Sequence, residues 1–370
     1  MIVRYLTHND ITEHDKISSQ AFSYSCEIGD PASVLPAEKV LGAFDDDNKT
    51  LFADMEILDK SCYYGSGLLT CAAVGGVAAK PEHRGKGAVK ELFRRLMSDG
   101  GYDISILYPF SEDYYRKLGY ERVGSSISAE IPFAELSGVK RNNNVTLYEG
   151  EGAAKLLDIY NRCAASYSLC FVRNSAEAFS ANPYLSQKYT YIYKDGAFAT
   201  IQVDRKSSTV IVSEFYFDSP ASMLGILGFL RNFEGNQQRV RFCKLPANTP
   251  LLSVIRNLNH CEIRLMCTGA AAVLNAAKVL ETHRYPVQSG SFTAEICGEV
   301  FGVNVSGGRA EAEILSSAAP DVVMSRNAAS RILLGRAGDP ELIPGLSVNN
   351  PQSDFFRMFP EQIPFFTDSF

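Results

Sequence analysis

Histidine is scarce and scattered. The five residues His8, His14, His83, His260 and His283 fall in no ligand spacing and make no metal motif. The nine cysteines form no Cys-x-x-Cys pair, and Cys163/Cys170 and Cys261/Cys267 are too loosely spaced for a metal clip. Such a pattern suits free, mostly core thiols in a reducing cytoplasm, with no metal required. No run of 18 apolar residues offers a membrane span. Positive charge is also short: a net charge of −6 gives a nucleic-acid partner no support and leans weakly toward cationic partners such as amines. Arg4, His8, Asp10 and Glu13 at the start argue against a secretory leader. What the chain has in plenty is core: 370 residues, 46% hydrophobic, enough for two or three domains.

Its most informative stretch is Val77-Ala78-Ala79-Lys80-Pro81-Glu82-His83-Arg84-Gly85-Lys86-Gly87-Ala88-Val89. An almost wholly apolar strand, Leu68 to Ala79, runs into a basic, glycine-rich turn that opens into a helix. Gly75-Gly76 inside the strand predicts a bulge or a close backbone approach. In the helix, Val89, Leu92, Phe93, Leu96 and Met97 line one face, Lys90, Glu91, Arg94 and Arg95 the other, and Gly100-Gly101 ends it. Free amides in the turn and the positive end of the helix dipole converge on one point, which suits a pyrophosphate. Gly85-Lys86-Gly87 is no Walker A motif, because it lacks the glycine spacing and a Ser or Thr after the lysine. It is a poor dinucleotide fingerprint too, since the third glycine would fall at Lys90. Taken alone, a structural strand-to-helix turn with surface cations explains the same residues.

A second strand, Asp103 to Tyr108, follows, then Ser111 and Tyr114-Tyr115-Arg116-Lys117-Leu118-Gly119-Tyr120. Strand, basic glycine turn, helix, strand, and a tyrosine four residues before a Gly-aromatic pair: this order resembles the GNAT N-acetyltransferase superfamily. The resemblance implies acetyl-CoA as cosubstrate and no metal. Val77 and Ala79 would offer backbone groups to pantetheine, and Arg84, Gly85, Lys86, Gly87, Ala88 and Val89 would cradle the phosphates. Tyr115 would sit beside the thioester sulfur as general acid, with Ser111 orienting it or the thiol end. The chain departs from the family at Glu82, where Gln or Arg is usual. A phenol of ordinary pKa near ~10 suits proton donation to a thiolate.

A polar patch, Lys140 to Asn144, marks a boundary. Beyond it Tyr189–Tyr193 and Ala197–Asp204 flank Lys194-Asp195-Gly196, a hairpin signal. A strand over 209–217, a helix over 221–232, a strand over 239–245, a helix over 250–258 and a strand over 262–268 follow. This resembles a second GNAT fold whose turn, Phe217-Asp218-Ser219-Pro220-Ala221, has no glycine or cation and an Asp that would repel pyrophosphate; no acetyl-CoA is expected there. From about 275 the pattern resembles a sterol-carrier-protein-like fold: a helix over 270–280, strands over 292–297, 300–305 and 309–315, and a helix over 326–334 stopped by Gly335. Fold class is therefore expected to be α/β (α+β), with tandem GNAT folds over 1–137 and 138–274 and a sterol-carrier-like α+β domain over 275–370.

That combination resembles the Eis-like acetyltransferases, related to the enhanced intracellular survival protein. The tail from Asp354 to Phe370 carries six Phe, so it must pack to avoid exposing a large apolar surface. The resemblance implies that the main-chain carboxylate of Phe370 serves as general base, although a tail that only seals an interface fits the same residues. It also implies a primary amine acceptor (aminoglycoside, polyamine or lysine side chain), with Phe22, Tyr24 and Glu27 near it. A homo-oligomer is implied as well, hexamers occurring in the group. The alternative is a lipid- or acyl-CoA-binding protein without turnover.

Overall fold

The computed structural model describes residues 1–23, 36–175, 179, 183–335, 338–366 and 368, and of Thr268 the backbone alone. The architecture is mixed α/β, in two compact units. One holds residues 1–123 and 269–361 with Asp368; the other holds 124–268 and 362–366.

In the first unit β1 (Ile2–Tyr5), α1 (Ile11–Phe22), β2 (Val40–Phe44), β3 (Leu51–Tyr64), β4 (Gly67–Ala79), α2 (Ala88–Ser98), β5 (Ile104–Leu107) and α3 (Glu112–Arg116) follow in order. β1 to β4 are antiparallel neighbours, and β5 lies parallel to β4. Period-2 alternation sorts the side chains. Leu41, Ala43, Ala53, Met55 and Ile57 meet Leu92, Phe93 and Leu96 of α2 in one cluster. Ile17 of α1 packs in a separate cluster with Leu6, Val40, Phe44, Leu51 and Ala78. The predicted bulge is present: the β3–β4 register shifts between Asp54 and Glu56, opposite Gly76 at φ 53°.

The chain continues through β6 (Glu121–Pro132), β7 (Thr146–Leu147), α4 (Ala153–Ala164), α5 (Pro183–Ser186), β8 (Tyr189–Tyr193), β9 (Ala197–Asp204), β10 (Thr209–Phe217), α6 (Pro220–Leu230), β11 (Arg239–Pro246) and β12 (Glu262–Val273). In the second unit β8, β9 and β10 form an antiparallel run, β11 lies parallel to β10, and β6 borders β11. Hairpin, helix, parallel strand is the connectivity of β3, β4, α2 and β5 over again. The start of α6 differs from that of α2. Ser219 caps it, accepting from the Ser222 amide at 3.2 Å, and Asp218 accepts from the Ser222 hydroxyl at 2.8 Å.

Two predicted helices fail. Residues 250–258 form only short 3-10 turns: one starts at Pro250 under the Thr249 cap and ends where Ile255 turns extended, and another starts after Asn257. Residues 270–273, expected to begin a helix, finish β12 and pair antiparallel with β5, Ala270 opposite Leu107. Alanine is a strong helix former, yet here its small side chain lets a strand lie in a fully packed sheet. The helix starts later, as α7 (Ala276–Thr282), capped by Asn275.

The rest of the first unit is β13 (Ser289–Ile296), β14 (Glu299–Ser306), β15 (Arg309–Ile314), β16 (Val322–Met324), α8 (Arg326–Leu334), β17 (Leu346–Val348) and α9 (Phe355–Met358). Their sheet order is β15-β14-β13-β16-β17. Phe355, Met358 and Phe359 are buried, so this part of the tail packs as its composition demanded. Further on, within the second unit, the amide of Phe365 bonds the Ser168 carbonyl at 2.9 Å and Lys244 reaches the Phe366 carbonyl at 2.9 Å.

Candidate active site

The site begins where two strands part. β4 and β5 pair from Cys71↔Ile104 to Val74↔Leu107, and there pairing stops, while β4 runs on to Ala79. The bulge at Gly76 turns β4 away from its neighbour, as an extra residue in one strand does. Among the described residues, one edge of the segment from Gly75 to Ala79 is left without a strand beside it. Val77 and Ala79, predicted to offer backbone groups, lie on this segment, half-buried and packed against the α2 cluster.

Lys80 leads out of the strand, tied by its ammonium to Glu13 of α1 at 2.7 Å. Pro81 to His83 form one 3-10 turn, and Arg84, Gly85, Lys86 and Gly87 follow in the open. Both glycines stand at φ 80°, a conformation that residues with a Cβ rarely adopt. A Cβ at either would meet nothing within 4 Å, so the concavity over the turn is vacant of protein. No side chain caps α2, and the amides of Gly85 to Val89 make no backbone hydrogen bond among the described residues. Donors of this kind, at a helix N-terminus and beside two cations, suit a diphosphate. The turn is braced from one side: His83 stacks on Phe52 with ring centroids 4.2 Å apart, and the Lys86 ammonium lies 4.6 Å over the same ring. The residues present therefore fit the pyrophosphate of a coenzyme.

Tyr115 stands on α3, one short helix past β5. Ser111 caps that helix, its Oγ accepting from the Tyr114 amide at 3.3 Å, and its carbonyl accepts from the Tyr115 amide at 3.3 Å. Ser111 thus fixes the turn of helix that aims Tyr115. The Tyr115 ring is buried among Phe93, Phe110, Tyr114 and Tyr120 in edge-on contacts. Ala88, Leu92, Val74 and Leu107 belong to the same cluster, so Tyr115, the start of α2 and the point where β4 and β5 part share one core. Burial, with a smaller contribution from Tyr114, pushes its phenol up to about 12, above the ordinary value assumed from sequence. Its hydroxyl makes no hydrogen bond among the described residues. Tyr120, the nearest alternative, has its hydroxyl committed to Ser105 at 2.6 Å, and Tyr114 is exposed.

Phe370, Tyr24 and Glu27 lie outside the described residues, and Phe22 is exposed at the end of α1. The last described residue of the tail does reach this region of the first unit: Tyr108, just past β5, donates its hydroxyl to the Asp368 carbonyl at 2.6 Å. Among the described residues no group of three or more His, Cys, Asp or Glu is placed to hold a metal ion, and no helix is long and apolar enough to cross a membrane.

One cluster escaped the sequence reading. His14 of α1 and Asp54 and Glu56 of β3 meet behind the bulge, His14 Nδ1 lying 3.0 Å from Asp54 Oδ2. Asp54 and Glu56 are two apart on a strand and share a face, which is the signal that could have found them. His14 gave none, since only the packing of α1 on β3 makes it their neighbour.

Comparison with known proteins agrees with this geometry. Residues 2–123 match the profile of the family described as Acetyltransferase (GNAT) domain. No curated protein matches the chain. Among solved structures, a GCN5-related N-acetyltransferase from Anabaena variabilis is 20% identical with a TM-score of 0.84, 100% of each chain being covered. A probable N-acyltransferase from Enterococcus faecalis is 15% identical with a TM-score of 0.83, over 100% of this chain and 99% of that one. Eis1 from Mycobacterium abscessus is 17% identical with a TM-score of 0.81, over 100% of both chains. At these identities the structures share the fold. The chain carries an acetyltransferase domain of the GNAT type in its first 123 residues, and is an acyltransferase.

Proposed function

We propose that the protein is an acetyl-CoA-dependent N-acetyltransferase that passes the acetyl group directly to a primary amine. The observation that carries this reading is the parting of β4 and β5 at Val74↔Leu107 beside an uncapped, glycine-lined helix start. Such a gap takes a pantetheine arm along the edge of β4, with backbone groups of Val77 and Ala79 pairing to it. Arg84 to Val89 hold the diphosphate at the other end.

The chemistry follows from that placement. The acceptor enters as an ammonium and must lose a proton before it can attack. The terminal carboxylate of Phe370 takes that proton, through water; the bond between Tyr108 and the Asp368 carbonyl supports a tail end near β5. The amine lone pair then attacks the thioester carbon, while an amide of the β4 segment between Val77 and Ala79 donates to the carbonyl oxygen as its charge grows. As the C–S bond breaks, Tyr115 donates to the departing sulfur, and the second proton, lost from the newly acylated nitrogen, returns through water to the Tyr115 phenolate. With its pKa near 12 the phenol stays protonated at neutral pH, so it is available as a donor in every turnover. Ser111 contributes by capping α3.

The acceptor class is an aminoglycoside, a polyamine or a lysine side chain. We read residues 1–137 as the catalytic GNAT domain and 138–274 as a second GNAT-like fold that holds no acetyl-CoA. The Ser219 cap and Asp218, which occupy the start of α6, support the latter. Residues 275–370 are read as a sterol-carrier-like domain, and the whole as an Eis-like, cytoplasmic homo-oligomer.

Calorimetric titration with acetyl-CoA and thiol release across spermidine, kanamycin and a lysine peptide test the reading. Binding with release for at least one amine is expected. Binding without release would leave an acyl-CoA binder, and no binding would remove the enzyme. Adding two residues after Phe370 should cut turnover at least tenfold with acetyl-CoA affinity kept; unchanged turnover would take the terminus out of the scheme.

A further inference from the structure

Behind the β4 bulge, on the face where α1 packs, three titratable side chains meet that the steps above do not use. His14 is buried, with Nδ1 3.0 Å from Asp54 Oδ2 and Nε2 on its far side 3.8 Å from Glu56 Oε1. Asp54 is fully buried, and its other oxygen, Oδ1, has no hydrogen-bond partner. A carboxylate only accepts, so Nδ1 carries the hydrogen and donates. The neutral ring then turns a lone pair toward Glu56. Glu56 itself makes no hydrogen bond among the described residues, and it borders the bulge: a Cβ added at Gly76 would lie 2.7 Å from its carboxyl group. Nε2 of the buried His14 and the carboxylate of Glu56, whose side chain is 26% exposed, thus face each other with no hydrogen between them, which leaves room for a donor from solvent.

We propose that His14 Nε2 and the Glu56 carboxylate together receive the ammonium of the acceptor, so that the site selects a charged primary amine and seats it beside the bulge. The proposal rests on the N-acetyltransferase reading and names the acceptor's charge state within it. Two acceptors 3.8 Å apart can share one ammonium, which has three hydrogens to give. Asp54 acts as a positioning residue, holding the imidazole in the tautomer that leaves Nε2 bare.

The groups facing this point are Asp54 and Glu56 on β3, Asp15 on α1 and Lys80 at the end of β4. Burial opposes a charge on His14, but the hydrogen bond and charge of Asp54, with Glu56 and Asp15, outweigh it and hold the imidazole pKa above its ordinary value. Burial raises Glu56, with His14 lowering it in part. Once protonated, His14 donates Nε2–H to Glu56 and closes the site to the amine. Affinity for a cationic amine should therefore fall as pH drops through the His14 titration.

Calorimetric titration of spermidine into the full chain tests this, comparing wild type with E56Q and with D158N, an exposed acid on α4 that controls for overall charge. Weakening of at least tenfold in E56Q is expected, with D158N within twofold and acetyl-CoA affinity equal in all three. E56D, which keeps the charge and shortens the reach, should recover part of the loss. The wild-type pH series from 8 to 5.5 needs no variant and should show the fall. Spermidine bound as tightly by E56Q, or not at all by wild type, overturns the proposal. Loss of acetyl-CoA binding by wild type would instead remove the acetyltransferase reading, while the spermidine comparison still decides this one.

Discussion

A tyrosine is a good acid catalyst only if its proton is kept until needed. In the role proposed for Tyr115 a phenol of ordinary pKa already keeps its proton at neutral pH, and burial, lifting it to about 12, extends that to alkaline pH. Tyr115→Phe keeps the ring and its contacts with Phe93 and Tyr120 while removing the donor. Turnover by thiol release should drop at least tenfold, in the range of ~100 to 10,000 typical of a positioned acid, with acetyl-CoA affinity within twofold. An unaltered rate would assign the proton to another group. The candidacy of Tyr115 could be read in the sequence because its distance from Leu118-Gly119-Tyr120 is local information. His14 was not: it lies forty residues from Asp54, and burial against β3 alone makes the two partners.

Among the elements, the strand–turn–helix from β4 to α2 is the one whose function depends on backbone shape. Arg84 and Lys86 are exposed, so their attraction for phosphate is screened by salt. Arg84→Ala should weaken acetyl-CoA binding about tenfold at low salt, ~1.4 kcal/mol, with a smaller difference at 0.5 M salt by titration. A loss independent of salt would mean that the side chain is structural. Of the strands read from the sequence, all but β12 and β13 agree to within a residue or two, whereas β1, β2, β3, β6, β7, β16 and β17 were not read at all. Apolar runs bounded by Gly, Asp and Lys fix β8, β9 and β10 locally. The misassigned stretch, Ala270 to Val273, shows the limit. Its composition favours a helix, and only pairing with β5, more than a hundred and sixty residues earlier in the chain, makes it a strand.

For the whole molecule, the tail is held by contacts that no local pattern contains. His283, after α7, is buried between Tyr64, Tyr285 and Phe359, and its Nε2 donates to the Met358 carbonyl at 3.0 Å. Burial pulls its pKa down to about 4 despite that bond. An exposed imidazole takes up its proton near ~6.5, so between pH 6.5 and 4 the unfolded chain binds the more protons. Stability from this group is present above that window and is lost as pH falls through it, by roughly 3 kcal/mol at most. His283→Gln retains a donor for Met358 without titrating, and its melting temperature should fall less steeply than that of wild type over the same window. Equal slopes would place the acid sensitivity elsewhere.

The parting of β4 from β5 has a consequence for the ligand-free state. A sheet interrupted at an inner position exposes main-chain groups that would ordinarily be saturated, and such a notch invites any extended chain to fill it. On the proposed function the coenzyme acts as a surrogate strand, and its arrival should be felt as local rigidity before any chemistry occurs. Deuterium uptake at Gly75 to Ala79 should slow on adding CoA while β8 and β9 exchange as before; uniform slowing, or none, would mean that the notch is not where the coenzyme lies.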